Sequence, residues 1–424
     1  MKKTSLADRC GSFADYVAMA KAEGFYPYFQ AVDRSWGTEI EIQGRRLIMI
    51  GSNDYLGLSH DRRVQEAAAN AVHRWGTGPG GSRFLSGNTT LLEELEERLA
   101  ALVGKKKAVV HVTGFSVNLG ALGCLLTPKD VLVGDRENHA SILQGWQAAR
   151  SRLTTFAHNN PRDAAQKLAD LSKKPSTGVT MLVTEGVFSM SGDVAALPEL
   201  VRLKHIHPGL LIYLDDAHGL GVIGPQGRGT AEHFGVTEQV DFIMGTFSKA
   251  LASIGGFFAG NDAAVMEYLR HTSKTLIFSA ALPASSAAAV LKALDIIAQE
   301  PERIARLQAN SQRVYRGYKE IGLRVNSHPS HILPLHIGDE ITAMQFSRDL
   351  FQHGIFALPA LFPAVPRGQA IIRTAYMSTH QDHQLDYILE VLQKLVRKYQ
   401  IRAEAPEETT SLYPDVGLAQ VQAS

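Results

Sequence analysis

Short apolar runs alternate with helical stretches through the middle of the chain. The runs are four to seven residues long and are bounded by glycine, proline or charged residues. They are AVVHV (108–112), VLVG (131–134), VTMLVTE (179–185), LLIYLDD (210–216), DFIMGT (241–246) and GGFFAG (255–260). This alternation predicts βαβ units, and therefore an α/β fold with a mostly parallel sheet and helices on both of its faces.

The segment 89–103, TTLLEELEERLAALV, has the hydrophobic spacing of a helix. The leucines that share one face are Leu92, Leu95, Leu99 and Leu102. Thr89 or Thr90 can cap the start, and acidic residues follow in the first turn. We therefore predict an amphipathic helix over this segment.

The two ends of the chain have different patterns. GTEIEIQGRRLIMIGS (37–52) alternates apolar and polar residues, which predicts a hairpin. Beyond about residue 284, helical patterns at 284–299, 300–322 and 381–399 flank the short strand candidates HILPLHIG and AIIRTAYM. The predicted units are a leader and hairpin at 1–55, a large α/β domain at 56–290, a small α+β domain at 291–400 and a mobile tail at 401–424.

Composition and charge exclude several classes of protein. The formal net charge of +1 argues against a nucleic-acid-binding protein, which needs a basic face. The two cysteines, Cys10 and Cys124, lack metal-ligand spacing, so we expect neither a disulfide framework nor a metal site, and a cytoplasmic location. The N-terminal segment lacks the apolar stretch of a secretory signal. The sequence also contains no run of 18 uncharged apolar residues, so we expect no transmembrane helix.

The segment GTFSKALASIGG (245–256) places a lysine just beyond a predicted strand end. A pyridoxal 5'-phosphate (PLP) enzyme needs a lysine amine for a Schiff base, and hydroxyl and backbone N–H donors for the phosphate. Lys249 and Thr246 supply both within one turn. A single lysine is more often a solvated surface charge, but the small and apolar neighbours of Lys249 weaken that interpretation.

Two other strand ends have polar residues that suit the same cofactor. In LLIYLDDAHGLG (210–221), Asp215 can pair with a protonated pyridine nitrogen, and His218 can donate to the ring oxygen. A strand-end aspartate also suits a cap, a metal or a ribose, so function and structure are equally good interpretations of this segment alone. EGVFSMSGD (185–193) places Glu185 and Ser189 beyond another strand end.

Three weaker features complete the set. HVTGFSVNLGAL (111–122) predicts a helix start with Thr113 nearby that could bind a phosphate, and DRENHASILQG (135–145) places His139 where it could lie on a cofactor ring. Arg373, on a predicted strand of the small domain, could bind a carboxylate. For each of them a purely structural role is favoured in isolation, but together they favour a PLP site. The Gly-rich loop WGTGPGGSRFLSGN (75–88) lacks a Walker lysine and is not a nucleotide P-loop.

From about residue 25 to 395 the chain resembles the α-oxoamine synthases, a family with PLP fold type I. The resemblance depends on GSNDYLGL, GTGPGGSRFLSGN, TGFSVNLG, HASI, EGVFSMSGD, LDDAHGLGVIGPQGRG, GTFSKALASIGG, IFSAALP and PAVPRGQAIIRTAYMSTH. Within the family, YPYFQ, FGVTEQVDFIMGTFSKALASIGGF and YLRHTSKTLIFSAALP are more similar to bacterial serine palmitoyltransferases than to 8-amino-7-oxononanoate synthases.

The resemblance implies a role for each matching residue. The catalytic residues would be Lys249 as the Schiff-base lysine, Asp215 at the pyridine nitrogen, His218 at the ring oxygen and His139 stacked on the ring. The remaining cofactor contacts would be Ser189 at the ring oxygen, Gly114, Phe115 and Thr246 at the phosphate, and Ser279 at the phosphate of the neighbouring subunit of a homodimer. The substrate side would include Asn53, Arg83 and Arg373, with Arg373 on the amino-acid carboxylate.

The chain departs from the family pattern at two positions. Members usually read His-x-x-Leu-Glu where this chain has Leu92 in place of the histidine, and an arginine is common where Lys274 stands. Both departures leave the acyl donor and the amino acid open.

The reaction that the resemblance implies is a decarboxylating condensation of an amino acid with an acyl thioester to give an α-amino ketone. L-serine and acyl-CoA are the expected substrates; alanine or glycine and an acyl-carrier thioester, as in an enzyme like 8-amino-7-oxononanoate synthase, stay open. A PLP aminotransferase or decarboxylase on the same fold also stays open. A non-catalytic subunit of a synthase complex is the competing hypothesis from another class, and Lys249 argues against it. A long acyl donor would place the enzyme at the inner membrane surface.

Overall fold

A seven-stranded sheet and two smaller sheets organise the part of the chain that the structure describes. This computed structural model describes residues 5–173, 177–326 and 330–401. Its strands are β1 (Arg34–Ser35), β2 (Glu39–Ile42), β3 (Arg45–Met49), β4 (Lys107–His111), β5 (Val131–Asp135), β6 (Arg152–Phe156), β7 (Thr180–Glu185), β8 (Leu210–Asp215), β9 (Phe242–Thr246), β10 (Gly256–Gly260), β11 (Leu335–Gly338), β12 (Ile355–Phe356), β13 (Pro359–Ala360) and β14 (Ala370–Ile372).

Helices separate most of these strands along the chain. They are α1 (Leu6–Ala22), α2 (Arg62–Trp75), α3 (Thr90–Leu102), α4 (Gly114–Leu125), α5 (Ala140–Ala149), α6 (Pro161–Ser172), α7 (Leu197–Arg202), α8 (Thr230–His233), α9 (Ala263–Thr272), α10 (Lys274–Ile277), α11 (Ala284–Gln299), α12 (Glu302–Ile321), α13 (Glu340–Gln352) and α14 (Asp382–Tyr399). Short 3₁₀ helices lie at Leu58–His60, Leu203–His205 and Thr237–Gln239.

The large sheet has the strand order β4-β10-β9-β8-β7-β5-β6. β10 is antiparallel to both of its neighbours, and the pairs β9–β8, β8–β7, β7–β5 and β5–β6 are parallel. The predicted mostly parallel sheet is therefore confirmed. The strand β6, RLTTF, was not among the predicted strands. It is an edge strand with mostly half-buried or exposed residues, so it has no continuous apolar run.

Side chains from successive residues of the sheet pack into two different apolar clusters. Val131 and Val133 of β5 lie in the cluster that includes residues of α3, α6 and α11, whereas Leu132 lies in the cluster with α4, α5 and α9. Because successive side chains of a strand point to opposite faces, both faces of the sheet are covered. This burial explains why the sheet strands have continuous apolar runs.

The sheet brings three predicted site residues to one edge. Glu185, Asp215 and Thr246 are the last residues of β7, β8 and β9. Glu185 and Asp215 are Cα partners on adjacent parallel strands, so their side chains emerge side by side. The carboxyl ends of parallel strands are where α/β sheets bind ligands.

The remaining sheets connect the two ends of the chain. The predicted hairpin is confirmed as β2 and β3, and β3 also pairs in parallel with β12 near residue 355. A three-stranded sheet, β11-β14-β13, packs with α12, α13 and α14 around its own apolar cluster. The predicted domain boundaries stay a prediction, and apart from Ile401 the predicted tail at 401–424 lies outside the described residues.

The predicted helix at 89–103 is confirmed as α3. The Thr89 hydroxyl accepts a hydrogen bond from the Leu92 backbone N–H at 3.3 Å, which caps the first turn. Leu95 and Leu99 are fully buried, and Leu102 is half-buried. In the described part of the chain, no helix combines the length and apolar character that a membrane crossing requires.

The burial of α3 predicts a graded loss of stability. Leu95→Ala should lower the free energy of unfolding by about 2–5 kcal/mol, because it removes a fully buried side chain and leaves a cavity. Leu102→Ala, at a half-buried position of the same helix, should cost clearly less. Urea denaturation followed by circular dichroism measures both, and equal losses for the two variants would contradict this packing.

Candidate active site

Asp215 lies at the centre of a buried hydrogen-bond network at the carboxyl edge of the sheet. Its Oδ2 accepts a hydrogen bond from Asn118 Nδ2 at 2.7 Å, and its Oδ1 accepts one from the Ala217 backbone N–H at 3.1 Å. Asn118 in turn accepts from the Tyr213 hydroxyl at 2.6 Å and donates to Ser141 Oγ at 2.9 Å. The carboxylate is therefore held in one orientation and can pair with a cation.

Glu185, beside Asp215, is buried, and one of its carboxyl oxygens lacks a hydrogen bond within the described part of the chain. Its side chain is almost fully inaccessible, and its Oε1 has no hydrogen-bond partner among the described residues. Burial raises the pKa of Glu185 well above its usual range, and the neighbouring Asp215 raises it further. Burial and the neighbouring carboxyl group thus both disfavour the charged form of Glu185.

Lys249 lies three residues beyond the end of β9, in a half-buried position. Burial lowers the pKa of its amine to about 8, although the charges of Asp215 and Glu185 raise it and Arg373 lowers it again. A larger fraction of this amine is therefore unprotonated near neutral pH than is usual for lysine. An unprotonated, partly buried amine is the form that attacks a carbonyl.

A helix start and a threonine form a cradle for an anion. Gly114 is the first residue of α4, and Thr113 caps this helix through a reciprocal pair of hydrogen bonds with Ser116. A Cβ on Gly114 would lie 2.7 Å from Thr246 Oγ1, so only glycine permits this approach. Thr246 Oγ1 lies 3.0 Å from both Ser248 Oγ and the Gly255 carbonyl oxygen. The free N–H groups of α4 suit a phosphate.

Two imidazoles lie beside this edge, and both are neutral near pH 7. Burial lowers the pKa of His139, and the ring of Phe115 approaches it edge-on with centroids 6.3 Å apart. Burial also lowers the pKa of His218 well below its usual range, with help from the charges of Lys249 and Arg373. His218 Nδ1 lies 2.6 Å from the Tyr55 hydroxyl, and this hydroxyl donates its proton to Asn53 Oδ1 at 3.1 Å.

Arg373, near the three-stranded sheet, contacts the loop that follows β7. We predicted it within a strand, but β14 ends at Ile372, so Arg373 follows the strand directly. Its Nε donates to the Ser189 carbonyl oxygen at 2.8 Å, and its Nη2 lies 3.5 Å from the Tyr55 hydroxyl. The structure therefore brings Arg373, Ser189, Tyr55 and His218 together.

Arg83 has its hydrogen-bond partners outside this cluster, and Ser279 is half-buried. The Arg83 guanidinium pairs with Glu96 of α3 and donates to Asn88 Oδ1 at 2.7 Å and 3.0 Å, in a nearly inaccessible position. Ser279 lies one residue beyond Phe278, whose side chain is 82% exposed. The predicted roles of Arg83 on the substrate side and of Ser279 at a second subunit stay predictions.

The two departures from the family pattern have simple structural settings. Leu92 is buried and packs in the same apolar cluster as Leu95 and Leu99. Lys274 is an exposed residue at the start of α10. Leu92 is thus accommodated as an ordinary core residue of α3.

Several residues of the site were not predicted from the sequence. They are Asn118, Ser141, Tyr213, Tyr55 and His331, whose ring meets that of Tyr55 edge-on with centroids 4.0 Å apart. Asn118 and Tyr213 lie inside segments that we selected for other residues. A polar residue in a predicted helix and a tyrosine in an apolar strand do not by themselves indicate a functional site. In the described ranges, no group of His, Cys, Asp and Glu side chains is placed to hold a metal ion.

Comparisons with known proteins agree on one family. The sequence model of the family described as aminotransferase class I and II matches residues 45–392. The chain is 42% identical to a serine palmitoyltransferase of Bacteriovorax stolpii over 376 residues, 89% of each protein. It is 34% identical to an 8-amino-7-oxononanoate synthase of Thermoanaerobacter pseudethanolicus, over 90% of the chain and 95% of that protein.

A solved structure extends this similarity to the fold. A variant of the serine palmitoyltransferase from S. paucimobilis, with bound PLP–myriocin aldimine, matches with a TM-score of 0.90 and 29% identity. The match covers 94% of the chain and 100% of that protein.

The environment of Lys249 predicts an unusual titration. In the ligand-free protein, the rate at which its amine is acylated should rise with a midpoint near pH 8, since burial lowers its pKa. Asp215→Asn should shift the midpoint lower, because the carboxylate charge raises that pKa. Competitive labelling with peptide mass spectrometry measures this, with exposed Lys106 as the internal reference. A midpoint for Lys249 near the free-lysine value of about 10.4 would contradict the proposed desolvation.

Proposed function

The chain belongs to the class I and II aminotransferase family, and we propose that it is an α-oxoamine synthase of the serine palmitoyltransferase type. The reaction is the PLP-dependent condensation of L-serine with an acyl-CoA, with loss of CO2, to give an α-amino ketone. The observation that supports it most is the lysine of lowered pKa beside Asp215 at the sheet edge, in a chain 42% identical to a serine palmitoyltransferase.

The residues at the sheet edge fit PLP. Asp215, held by Asn118, matches a protonated pyridine nitrogen, and the start of α4 with Thr246 matches the phosphate. The lysine amine matches the aldehyde. When bound, PLP supplies an electron sink for the charge that forms at the amino-acid Cα. Ser189 and His218 would hold the ring oxygen, and His139 and Phe115 would lie beside the ring and the phosphate.

Arg373 is placed to orient the amino acid. Its Nε is already bound to the Ser189 carbonyl oxygen, and its Nη2 approaches the Tyr55 hydroxyl, so the direction of the guanidinium is defined. A guanidinium binds a carboxylate with two parallel hydrogen bonds. Held in this way, the amino acid would present its Cα to Lys249.

Lys249 is the group that moves the proton. With a pKa lowered to about 8, its amine can both accept and return a proton near neutral pH. Lys249 Nζ would remove the Cα proton and later return one. The neutral imidazoles of His139 and His218 add no positive charge that would lower the pKa of Lys249 further.

The proposed substrates are inferred from the comparisons with known proteins and not from the shape of a binding pocket. The curated relatives named serine palmitoyltransferase are 41–43% identical to the chain, and those named 8-amino-7-oxononanoate synthase that we compared are 34–38% identical, which favours serine. The second candidate uses alanine or glycine with another acyl-CoA or an acyl-carrier thioester. We also propose a homodimer with shared sites, to which Ser279 would contribute, and a cytoplasmic location.

A panel of substrates tests the function directly. The purified protein, supplied with PLP, is incubated with serine, alanine or glycine and with acyl-CoAs of graded chain length, and thiol and CO2 release are measured. Serine with a long-chain acyl-CoA should give both products, and Lys249→Ala should give neither product and, without amino acid and after removal of free PLP, no absorbance band of a lysine-bound cofactor. Release of a keto acid without thiol would instead indicate an aminotransferase.

The role of Arg373 predicts a specific kinetic change. Arg373→Ala should raise the KM for the amino acid about tenfold to a hundredfold, because a charge-assisted pair of about 1.5–3 kcal/mol is lost. The KM for the acyl thioester should change little. Steady-state kinetics measures both constants, and Arg367→Ala is the matched control because that arginine is exposed and packs on Phe362. An unchanged amino-acid KM in Arg373→Ala would contradict the assigned role.

A further inference from the structure

His158 lies among three carboxylates close to the site but has no role in the reaction described above. Its Nδ1 lies 3.0 Å from Asp135 Oδ1, and its Nε2 lies 3.1 Å from Asp193 Oδ2 and 3.5 Å from Glu137 Oε2. The ring of Phe188 packs against it edge-on, with centroids 4.4 Å apart. The Asp135 side chain is fully buried, and that of His158 is 20% exposed.

The two closest carboxylates belong to different loops of the site. Asp135 is the last residue of β5, and the loop that follows it leads to His139 at the start of α5. Asp193 lies in the turn closed by the bridge between Val187 and Val194, which also contains Ser189. His158 thus contacts both the loop that presents His139 and the loop that presents Ser189.

The geometry suits a doubly protonated imidazole. Both ring nitrogens lie at hydrogen-bond distance from a carboxylate oxygen, and only imidazolium can donate from both. Burial alone would lower the pKa of His158, but the hydrogen bonds to Asp135 and Asp193 and the charge of Glu137 raise it to about 11. A further charged group near this cluster is Arg136, whose charge favours the charged form of Glu137, although burial raises the pKa of Glu137.

Backbone and amide contacts strengthen the connection between the two loops. The Asn159 backbone N–H donates to Asp135 Oδ2 at 2.7 Å, and Asn159 Nδ2 donates to Asp193 Oδ2 and to the Val194 carbonyl oxygen, each at 2.9 Å. The Phe188 backbone N–H donates to the Asp193 carbonyl oxygen at 3.1 Å. The position of Ser189, next to Phe188, therefore depends on Asp193 and its partners.

We propose that His158 is a positioning residue whose imidazolium clamps the 135–139 loop to the 186–194 loop and so holds His139 and Ser189 in their places around the cofactor. The inference rests on the proposed function. Ser189 also accepts the Nε hydrogen bond of Arg373 through its carbonyl oxygen. Loosening the clamp would therefore change the direction of the group that binds the amino-acid carboxylate.

The kinetic test replaces the charge while keeping a hydrogen-bonding side chain. His158→Gln in the holoenzyme should raise the amino-acid KM about tenfold and lower kcat by a smaller factor. It should also change the visible circular dichroism of bound PLP, because His139 and Ser189 shift. His205→Gln, at an exposed histidine of a 3₁₀ helix, should change neither. Unchanged KM and dichroism in a folded His158→Gln variant would overturn the proposal.

A second variant isolates one side of the clamp. Asp193→Asn keeps Asp135 as a partner of His158 but weakens the contact to the 186–194 loop. It should raise the amino-acid KM, in the same direction as His158→Gln but less. A normal KM in Asp193→Asn would contradict the transmission through Ser189, even if His158→Gln cannot be folded.

A measurement on the wild-type protein tests the clamp without any assay of activity. Hydrogen exchange at the imidazole C2 position, followed by peptide mass spectrometry, gives the protonation midpoint of each histidine. The midpoint of His158 should lie above about pH 9, since its pKa is raised to about 11. A midpoint near the ordinary value of about 6.5 would overturn the proposal. Failure of the substrate panel with a high His158 midpoint would instead reject only the proposed function.

Discussion

The site depends on the transfer of one amine and two carboxyl groups out of water at the same edge of a sheet. Burial favours the neutral form of each group, whereas the attraction between amine and carboxylate favours the charged forms. The outcome differs between the groups: the pKa of Lys249 falls only to about 8, whereas the pKa of Glu185 is raised well above its usual range. Asp215, whose Oδ2 accepts a hydrogen bond from Asn118, is placed to meet a cofactor cation.

The fold creates this edge by simple means. Strands β7, β8 and β9 are covered on both faces of the sheet, and their residues are therefore mostly apolar. The ionisable and hydroxyl side chains of the site follow where these strands end. Glycine at position 114 lets the start of α4 approach Thr246, which places helix N–H groups beside the same edge. Arg373, directly after strand β14, approaches this arrangement with its Nη2 3.5 Å from the Tyr55 hydroxyl.

The sequence predicts the parts of the site that lie on regular elements. Asp215 and Thr246 follow apolar runs whose length and boundaries indicate buried strands, and the hairpin and α3 follow from their periodicity. Long-range partners cannot be inferred in this way. The pairing of Asn118 with Asp215 joins residues 97 positions apart, and Arg83, expected on the substrate side, pairs with Glu96 in the interior. His158 gave no signal because its three carboxylates come together only in the folded chain.

The most direct test of this account is chemical trapping of the cofactor on the purified protein. Treatment of the PLP-loaded enzyme with borohydride, followed by proteolysis and mass spectrometry, identifies the lysine that carries the cofactor. The pyridoxyl group should be found on the peptide containing Lys249, and Asp215→Asn should reduce its yield. A pyridoxyl group on another lysine, or none on a protein that has been saturated with PLP, would contradict it.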